Sequence, residues 1–222
     1  RRPVVTVLLC PGQGSQKVGM GRDLAERYPA ARETFERIDE ALGMPLSRLM
    51  WEGPEEELTL THNAQPAILA HTCAVLAVVG ERFGSVGAAS GHSLGEYSAW
   101  VAAGGLTPEG AARLVRRRGE LMLEAGEARR GTMAAVVGLG TTEVVDACAK
   151  VPRDAGIAVA ANLNAPDQTV ISGDPTAVDA AGADCKSRGA KRVLPLKVSG
   201  AFHSPLMEPA VPGLRWALES TE

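Results

Sequence analysis

The segment GAASGHSLGEYSAW, residues 87–100, constrains the fold most strongly, because it places Ser93 in the pattern G-x-S-x-G. In this pattern the serine lies on a sharp turn from a strand into a helix, and its hydroxyl stands clear of the backbone. Gly91 and Gly95 occupy the two positions at which a Cβ would crowd such a turn. So short a pattern also occurs by chance, but here a strand candidate precedes it and an amphipathic helical pattern follows. We therefore interpret Ser93 as a nucleophile on an α/β scaffold.

The base that accepts the Ser93 proton is not expected to be the adjacent His92. Neighbouring side chains diverge on a tight turn, so we expect His92 to point into the fold as a buried, hydrogen-bonded structural histidine. His203, in the segment VSGAFHSPLM, follows a predicted strand, and catalytic side chains favour loops at strand ends. The order serine before histidine also suits a hydrolase-like sheet, although an ordinary loop histidine is the alternative. His62 and His71 flank a predicted helix, and we assign them structural roles.

The helix predicted from Pro108 onwards carries the sequence EGAARLVRRRGELMLEA, in which three arginines are consecutive. At 3.6 residues per turn, Arg118 lies in the apolar stripe, whereas Arg116 and Arg117 lie on the opposite, solvated side. The stripe is formed by Ala111, Leu114, Val115, Leu121, Met122 and Ala125. A buried arginine needs an anionic partner. Two partners stay open on the residues alone: an Asp or Glu of the chain, or a substrate carboxylate bound in a bidentate pair.

The glycine-rich segment PGQGSQKVGMG, residues 11–21, suggests a nucleotide-binding loop, but it fits neither phosphate-binding pattern. Lys17 occupies the third glycine position of G-x-G-x-x-G, and Met20 stands where a Walker A loop requires lysine. Backbone amides after a strand can instead contribute to an oxyanion hole, together with the amide that follows the nucleophile. We expect these two amides to belong to Gln13 and Leu94.

Apolar periodicity and turn signals predict an α/β chain with two parts. The first part is a hydrolase-like core with a parallel sheet, at residues 1–129 and 198–222. Its predicted elements are the strand Val4–Leu9, the helices Asp23–Leu42 and Gln65–Phe83, the strand Ser85–Ser90, the helix Leu94–Ala103, and a helix capped by Thr107 with Pro108 at its first position.

The second part, residues 130–197, is predicted to be a ferredoxin-like subdomain inserted in this core. Its elements follow the order β-α-β-β-α-β. They are expected at Thr132–Gly138, Thr141–Lys150, Ile157–Asn162, Gln168–Gly173, Asp174–Arg188 and Lys191–Val198.

The composition excludes several classes of partner. A net charge of −3 gives no electrostatic reason to expect nucleic acid or an anionic membrane. The longest apolar run, Ala64–Gly80, is interrupted by polar residues and is shorter than a membrane span. Four scattered cysteines indicate buried thiols in a reducing compartment, so we expect a cytoplasmic protein. The start RRPVV, without Met, indicates N-terminal processing.

Six segments, taken together and in order, resemble the malonyl-CoA:acyl carrier protein transacylase family. They are PGQGSQ, QPA, GHSLGEYSA, RGELM, NLNAPDQTVISG and GAFHSPLM. The resemblance implies that Ser93 is the acylated nucleophile and His203 its partner. It also implies that Arg118 binds the malonyl carboxylate and that the amides of Gln13 and Leu94 bind the oxyanion.

The resemblance further implies a pocket near Met122 and Asn162, with Phe202 and Leu94 typical of malonyl-selective rather than methylmalonyl-selective members. The sequences of these six segments resemble free-standing fatty-acid enzymes more closely than domains of modular polyketide synthases. The implied partners are malonyl-CoA and acyl carrier protein, and the implied enzyme is a monomer without nucleotide, metal or redox cofactor.

Members of the family continue well beyond the position that matches Glu222, so we expect this chain to be part of a longer enzyme. Two other functions stay open. A thioesterase or lipase-like hydrolase would need an acidic triad member, for which the candidates are Asp146, Asp154, Asp167 and Asp174. A non-catalytic module that docks carrier protein would not need Ser93, His203 and Arg118 together.

Overall fold

A computed structural model of the chain describes residues 6–84 and 86–221. It shows a mixed α/β fold with one parallel and one antiparallel sheet. The chain forms two compact units, of which one contains the residues up to Glu120 together with those from Leu214 onwards, and the other Leu121–Gly213. The domain boundaries predicted from the sequence, 1–129 with 198–222 and 130–197, stay a proposal.

The first unit is built on two parallel strands, β1 (Thr6–Cys10) and β2 (Val86–Gly91). Cys10 lies opposite Gly91 in the register, so both strands end at the same edge of the sheet. The turns that follow them therefore lie side by side. Both strands were predicted, one residue early; of the predicted spans, Val4, Val5 and Ser85 lie outside the described residues.

Seven of the described helices begin in the first unit. Their bounds are α1 Arg22–Arg27, α2 Pro29–Leu42, α3 Leu46–Glu52, α4 Glu55–Thr59, α5 Thr61–Val79, which a 3₁₀ turn Gly80–Phe83 follows, α6 Gly95–Ala102 and α7 Pro108–Ala128. Helices α2 and α5 carry much of the apolar core, which includes Phe35, Ile38, Ile68 and Leu69. None of the described helices is long and apolar enough to cross a membrane.

Two of the predicted helices differ from the structure. The prediction of one helix at Asp23–Leu42 was wrong, because Tyr28 has extended backbone angles (φ −127°, ψ 113°) and separates α1 from α2. The pyrrolidine ring of Pro29 disfavours the helical conformation in the residue before it, which explains the break. Helix α5 begins at Thr61, four residues before the predicted start at Gln65. The two short helices α3 and α4 were not predicted.

The start of α7 confirms the predicted cap. The backbone N–H of Gly110 donates a hydrogen bond of 3.1 Å to the Thr107 hydroxyl oxygen, and Pro108 is the first helical residue. This bond satisfies one of the amides that have no partner within the helix.

The second unit contains a four-stranded antiparallel sheet in the order β4-β5-β3-β6. Its elements are β3 Thr132–Val137, α8 Thr141–Ala149, β4 Ala158–Ala165, β5 Gln168–Gly173, α9 Pro175–Ser187 and β6 Arg192–Pro195, with a 3₁₀ turn at Arg153–Ala155. Strand β6 ends three residues before the predicted Val198. The 3₁₀ segment Pro205–Ala210 and helix α10 (Val211–Glu219) were not predicted.

Candidate active site

Ser93 lies on the turn between β2 and α6, and its backbone is left-handed, with φ at +54°. This conformation is uncommon for a residue with a side chain, and such strained residues concentrate at functional sites. Two hydrogen bonds stabilise the turn: the amide of His92 donates to the Cys10 carbonyl (3.0 Å), and the amide of Gly95 to the His92 carbonyl (2.9 Å). The backbone thus has the form predicted for a nucleophile elbow.

The two glycines of the pattern are required by close backbone contacts. A Cβ on Gly91 would lie 1.9 Å from the carbonyl carbon of Gly95, and a Cβ on Gly95 would lie 2.4 Å from the carbonyl oxygen of Cys10. Neither obstacle is a flexible side chain, so the backbone itself would have to move. The predicted reason for both glycines is confirmed.

The prediction that His92 is buried was wrong, because its side chain is exposed. It lies at the carboxyl edge of the sheet against the loop after β1, where a Cβ on Gly12 would come 2.5 Å from its Nδ1. The turn therefore carries His92 over the neighbouring loop rather than into the core.

Arg118 lies beside the nucleophile in the first unit. Its Nη2 donates a hydrogen bond of 3.0 Å to the Ser93 hydroxyl oxygen, and its Nη1 donates one of 2.6 Å to Oε1 of Gln65. The guanidinium carbon lies 5.9 Å from the ring centre of Tyr97, within cation–π range. Desolvation holds the pKa of the Arg118 guanidinium below its ordinary value. The electrostatic effects of Tyr97 and Glu96 oppose this shift only in part.

The sequence left the anionic partner of Arg118 open between a carboxylate of the chain and one of a substrate. Among the Asp and Glu residues whose side chains the structure describes, none forms an ion pair with Arg118. Its hydrogen-bond acceptors in the first unit are a neutral amide and a hydroxyl. The arrangement thus favours a guanidinium that keeps its positive charge for an anion from outside the chain.

Arg116 differs from its prediction as a solvated charge. Only 26% of its side chain is exposed, and it donates to the His62 carbonyl (3.2 Å) and to Oδ1 of Asn63 as well as to Glu120. Helix α7 packs closely against α5 here, since a Cβ on Gly119 would lie 2.5 Å from the His62 Cα. The periodicity of a single helix does not show a contact between two helices, so this one was not predicted. Arg117 is more exposed, as predicted.

Two polar side chains that the sequence did not single out complete the surroundings of Arg118. Gln65 is fully buried and Thr61 is 2% exposed. The Thr61 hydroxyl donates to Oε1 of Gln13 (2.8 Å) and accepts from Nε2 of Gln65 (3.3 Å). In the sequence, the only sign of this arrangement is a glutamine within the apolar helix α5, in the QPA segment. No local pattern indicates that this glutamine contacts Arg118.

The two predicted oxyanion donors follow the two parallel strands. Gln13 comes three residues after Cys10, and Leu94 three residues after Gly91, which are partners in the register. Leu94 is 1% exposed and precedes the first residue of α6. Both amides therefore belong to turns at the same edge of the sheet, and their role toward an oxyanion stays a prediction.

His203 lies in the second unit, in a turn that is braced from both sides. The Ser204 hydroxyl donates to the Ala201 carbonyl (2.6 Å) and accepts from the Leu206 amide (3.2 Å). His203 is exposed, and its φ of +58° is left-handed, like that of Ser93. A strained histidine in a braced turn fits a functional group, although its action on Ser93 stays a prediction.

The remaining predicted pocket residues also lie in the second unit. Met122 and Phe202 are buried, at 7% and 5% exposure, in one apolar cluster with Met133, Ala135 and Val170. Asn162 is half-buried on β4, opposite Val170 of β5. The structure thus places Met122 and Phe202 together and puts Asn162 on a strand next to their cluster.

The acidic residues considered for a hydrolase triad all lie in the second unit. Asp174 forms a bidentate ion pair with Arg129 (2.8 Å to each oxygen for Nη2) and accepts from the Ile157 amide. These contacts, with burial opposing them, lower the pKa of Asp174 and give it a structural role. The four cysteines are buried thiols, and the described residues contain no group of His, Cys, Asp and Glu that could hold a metal ion.

Comparison with known proteins identifies the family. The family model described as acyl transferase domain matches residues 7–222. Malonyl CoA-acyl carrier protein transacylase of Bacillus subtilis is 48% identical over 214 residues, which cover 96% of this chain and 68% of the relative. The protein of the same name from Escherichia coli K12 is 46% identical over 201 residues, which cover 90% of this chain and 65% of the relative.

Solved structures agree with these relatives. A malonyl-transacylase in complex with a type II PKS acyl-carrier protein has a TM-score of 0.93 at 43% identity, covering 99% of this chain and 71% of that one. An acyl carrier protein S-malonyltransferase from Vibrio cholerae has a TM-score of 0.92 at 43% identity, with coverages of 97% and 71%. The motifs around Ser93, Arg118 and His203 thus occur in a chain that belongs to the acyl transferase domain family, among the malonyl-CoA:acyl carrier protein transacylases.

Proposed function

We propose that this protein transfers a malonyl group from malonyl-CoA to the pantetheine thiol of an acyl carrier protein, in fatty acid or polyketide synthesis. The observation that carries the proposal is the position of Arg118. Its guanidinium contacts the nucleophile candidate directly and forms no ion pair with the described acidic residues. A substrate whose carboxylate is separated from the reacting carbonyl by one methylene suits such a site, because charge-assisted bidentate bonds to arginine are strong and specific.

The reaction is a covalent two-step transfer. The Ser93 oxygen attacks the thioester carbonyl of malonyl-CoA, and its proton passes to His203. The C–S bond then breaks, and CoA leaves as a thiol with that proton. The carrier thiol next attacks the malonyl-serine ester while His203 takes the thiol proton. The bond between the acyl carbon and the Ser93 oxygen then breaks, the malonyl thioester of the carrier leaves, and the proton returns from His203 to the Ser93 oxygen.

The amides of Gln13 and Leu94 stabilise the negative charge that develops on the carbonyl oxygen in both steps. Their place after two parallel strands that end at one edge supports this role, and the dipole of α6 contributes in the same direction. The mechanism uses no nucleotide, metal or redox cofactor, and Met122, Asn162 and Phe202 line the acyl pocket.

At a finer level, we interpret residues 1–129 with 198–222 as the hydrolase-like core and residues 130–197 as the ferredoxin-like subdomain. The strand order β4-β5-β3-β6 and the element order β-α-β-β-α-β support the second interpretation. The cytoplasmic location and the monomeric state stay predictions.

Intact-mass measurement tests the proposed function. Incubation with malonyl-CoA is expected to add one malonyl group to the protein, and holo carrier protein is then expected to remove it and gain the same mass. Slow loss of the adduct to water, without transfer to the carrier, would instead indicate the thioesterase. Absence of any adduct would indicate the docking module.

The two histidines are separated by alanine substitutions. His203→Ala is expected to slow acylation by roughly 10²-fold or more, the usual scale for loss of a general base. His92→Ala is expected to acylate at nearly the wild-type rate, because His92 is exposed and lies against the loop after β1. Stopped-flow acylation rates, with thermal melting as the folding control, measure both; a fast His203→Ala beside a slow, folded His92→Ala would reverse the assignment.

A further inference from the structure

Four side chains connect the loop after β1 to the nucleophile through consecutive hydrogen bonds. The chain runs from Gln13 to Thr61 (2.8 Å), from Thr61 to Gln65 (3.3 Å) and from Gln65 to Arg118 (2.6 Å), and Arg118 then contacts Ser93 (3.0 Å). All of these residues belong to the first unit. We propose that Thr61 and Gln65 are positioning residues that set the preference for a carboxylate-bearing acyl group, a proposal that rests on the proposed function.

The first step of the argument concerns the charge of the Arg118 site. Gln65 is fully buried and offers Arg118 a neutral acceptor. A carboxylate of the same shape would fix the guanidinium equally well, but it would cancel its charge and occupy its donors. A neutral amide holds the guanidinium in place and leaves the positive charge available. Gln65 therefore leaves Arg118 able to bind an anion from outside the chain.

The second step concerns the orientation of the Gln65 amide. An amide presents either its oxygen or its NH₂ group to a neighbour, and only the oxygen can accept from a guanidinium. The Thr61 hydroxyl donates its own proton to Gln13, so toward Gln65 it can only accept. Because the Arg118 guanidinium can only donate, it fixes the oxygen of Gln65 on Arg118, which leaves the NH₂ group of Gln65 to donate to Thr61. The Thr61 hydroxyl thus supplies the acceptor that the NH₂ group of Gln65 needs when its oxygen faces Arg118.

The third step concerns Gln13, whose backbone amide is the proposed oxyanion donor. Its side chain is held by the same Thr61 hydroxyl that orients Gln65. Loss of this hydroxyl therefore acts on both ends: it loosens the loop of the oxyanion donor and releases the acceptor of Arg118. Malonyl transfer depends on both the oxyanion donor and Arg118, whereas acetyl transfer depends on the oxyanion donor alone.

The test compares acylation by malonyl-CoA and acetyl-CoA in variants of the full-length protein. Gln65→Glu is expected to lower kcat/KM for malonyl-CoA by about 10²-fold, mainly through KM, and to change acetyl-CoA by no more than about threefold, because the new carboxylate competes with the substrate for Arg118. Gln65→Met, which removes the acceptor at similar volume, is expected to reduce the malonyl-to-acetyl ratio by about tenfold.

Substitutions at Thr61 have a matched control on the same helix. Thr61→Val is expected to reduce malonyl acylation by about tenfold and acetyl acylation less, and Thr61→Ser is expected to restore most of the loss. Thr72→Val is the control, since the Thr72 hydroxyl bonds only to the Ile68 carbonyl of its own helix (3.0 Å) among the contacts of the described residues. It is expected to match wild type with both thioesters.

The outcomes separate this inference from the proposed function. A wild-type protein that forms no malonyl adduct overturns the proposed function. A wild type that forms the adduct, with Gln65 variants that lose both substrates equally or keep the wild-type ratio, overturns the positioning role alone. A Thr61→Val variant that is no different from Thr72→Val overturns the part assigned to Thr61.

Discussion

Ser93→Ala is expected to form no malonyl adduct, because the nucleophilic oxygen is absent while the rest of the site is intact. Alanine tolerates the backbone of position 93 no worse than serine, so the variant is expected to fold. The measurement is intact mass after incubation with malonyl-CoA, followed by peptide mapping of the wild-type adduct.

Cysteine is the alternative acceptor that the mapping must exclude. Burial raises the pKa of Cys73 to about 12 and that of Cys148, with an added effect of Cys185, to about 11. Thiols with such pKa values are poor nucleophiles at neutral pH. An adduct that persists in Ser93→Ala, or that maps to a cysteine, would show that the elbow is not the acylation site.

Arg118→Ala is expected to reduce malonyl acylation by on the order of 10²-fold or more, since a charge-assisted bidentate pair is lost from a desolvated site. Acetyl acylation is expected to change little or to improve, because acetyl-CoA leaves the guanidinium without an anion in the wild type. Arg118→Lys is expected to rescue malonyl acylation only partly, since an ammonium lacks the planar pair of donors.

The measurement is the acylation rate of both thioesters on the wild type and both Arg118 variants. Arg118 also donates to the Ser93 hydroxyl, so a rate change that both thioesters share reports on this bond and not on carboxylate binding. The diagnostic quantity is therefore the ratio of the two rates. An unchanged ratio in Arg118→Ala would mean that the arginine only supports the structure, and the malonyl assignment would lose its physical basis.

The sequence predicted those parts of the site that depend on local geometry. The requirement for Gly91 and the Thr107 cap follow from contacts within a few residues, and the periodicity of α7 indicated that Arg118 lies on its apolar side. The hydrogen-bond chain through Thr61 and Gln65 depends on how α5 packs against α7 and the loop after β1, so no local pattern contains it. The same packing explains the wrong prediction for Arg116.

The break at Tyr28 has a local cause that the prediction overlooked, since Pro29 follows it. The exposure of His92 has no such local signal, because it depends on where the loop with Gly12 lies. Short helices such as α3 and α4 carry too little periodicity to be detected.

The left-handed backbone at Ser93 and His203 has a consequence for the evolution of this fold. Among the described residues, these are the two that combine a side chain with a positive φ, at a cost of roughly 1–2 kcal/mol each relative to glycine. Glycine at either position would relieve the backbone and remove the reacting group in the same substitution. Selection for thermostability alone would therefore favour glycine at these two positions and yield an inactive protein. Selection for acyl transfer opposes these substitutions.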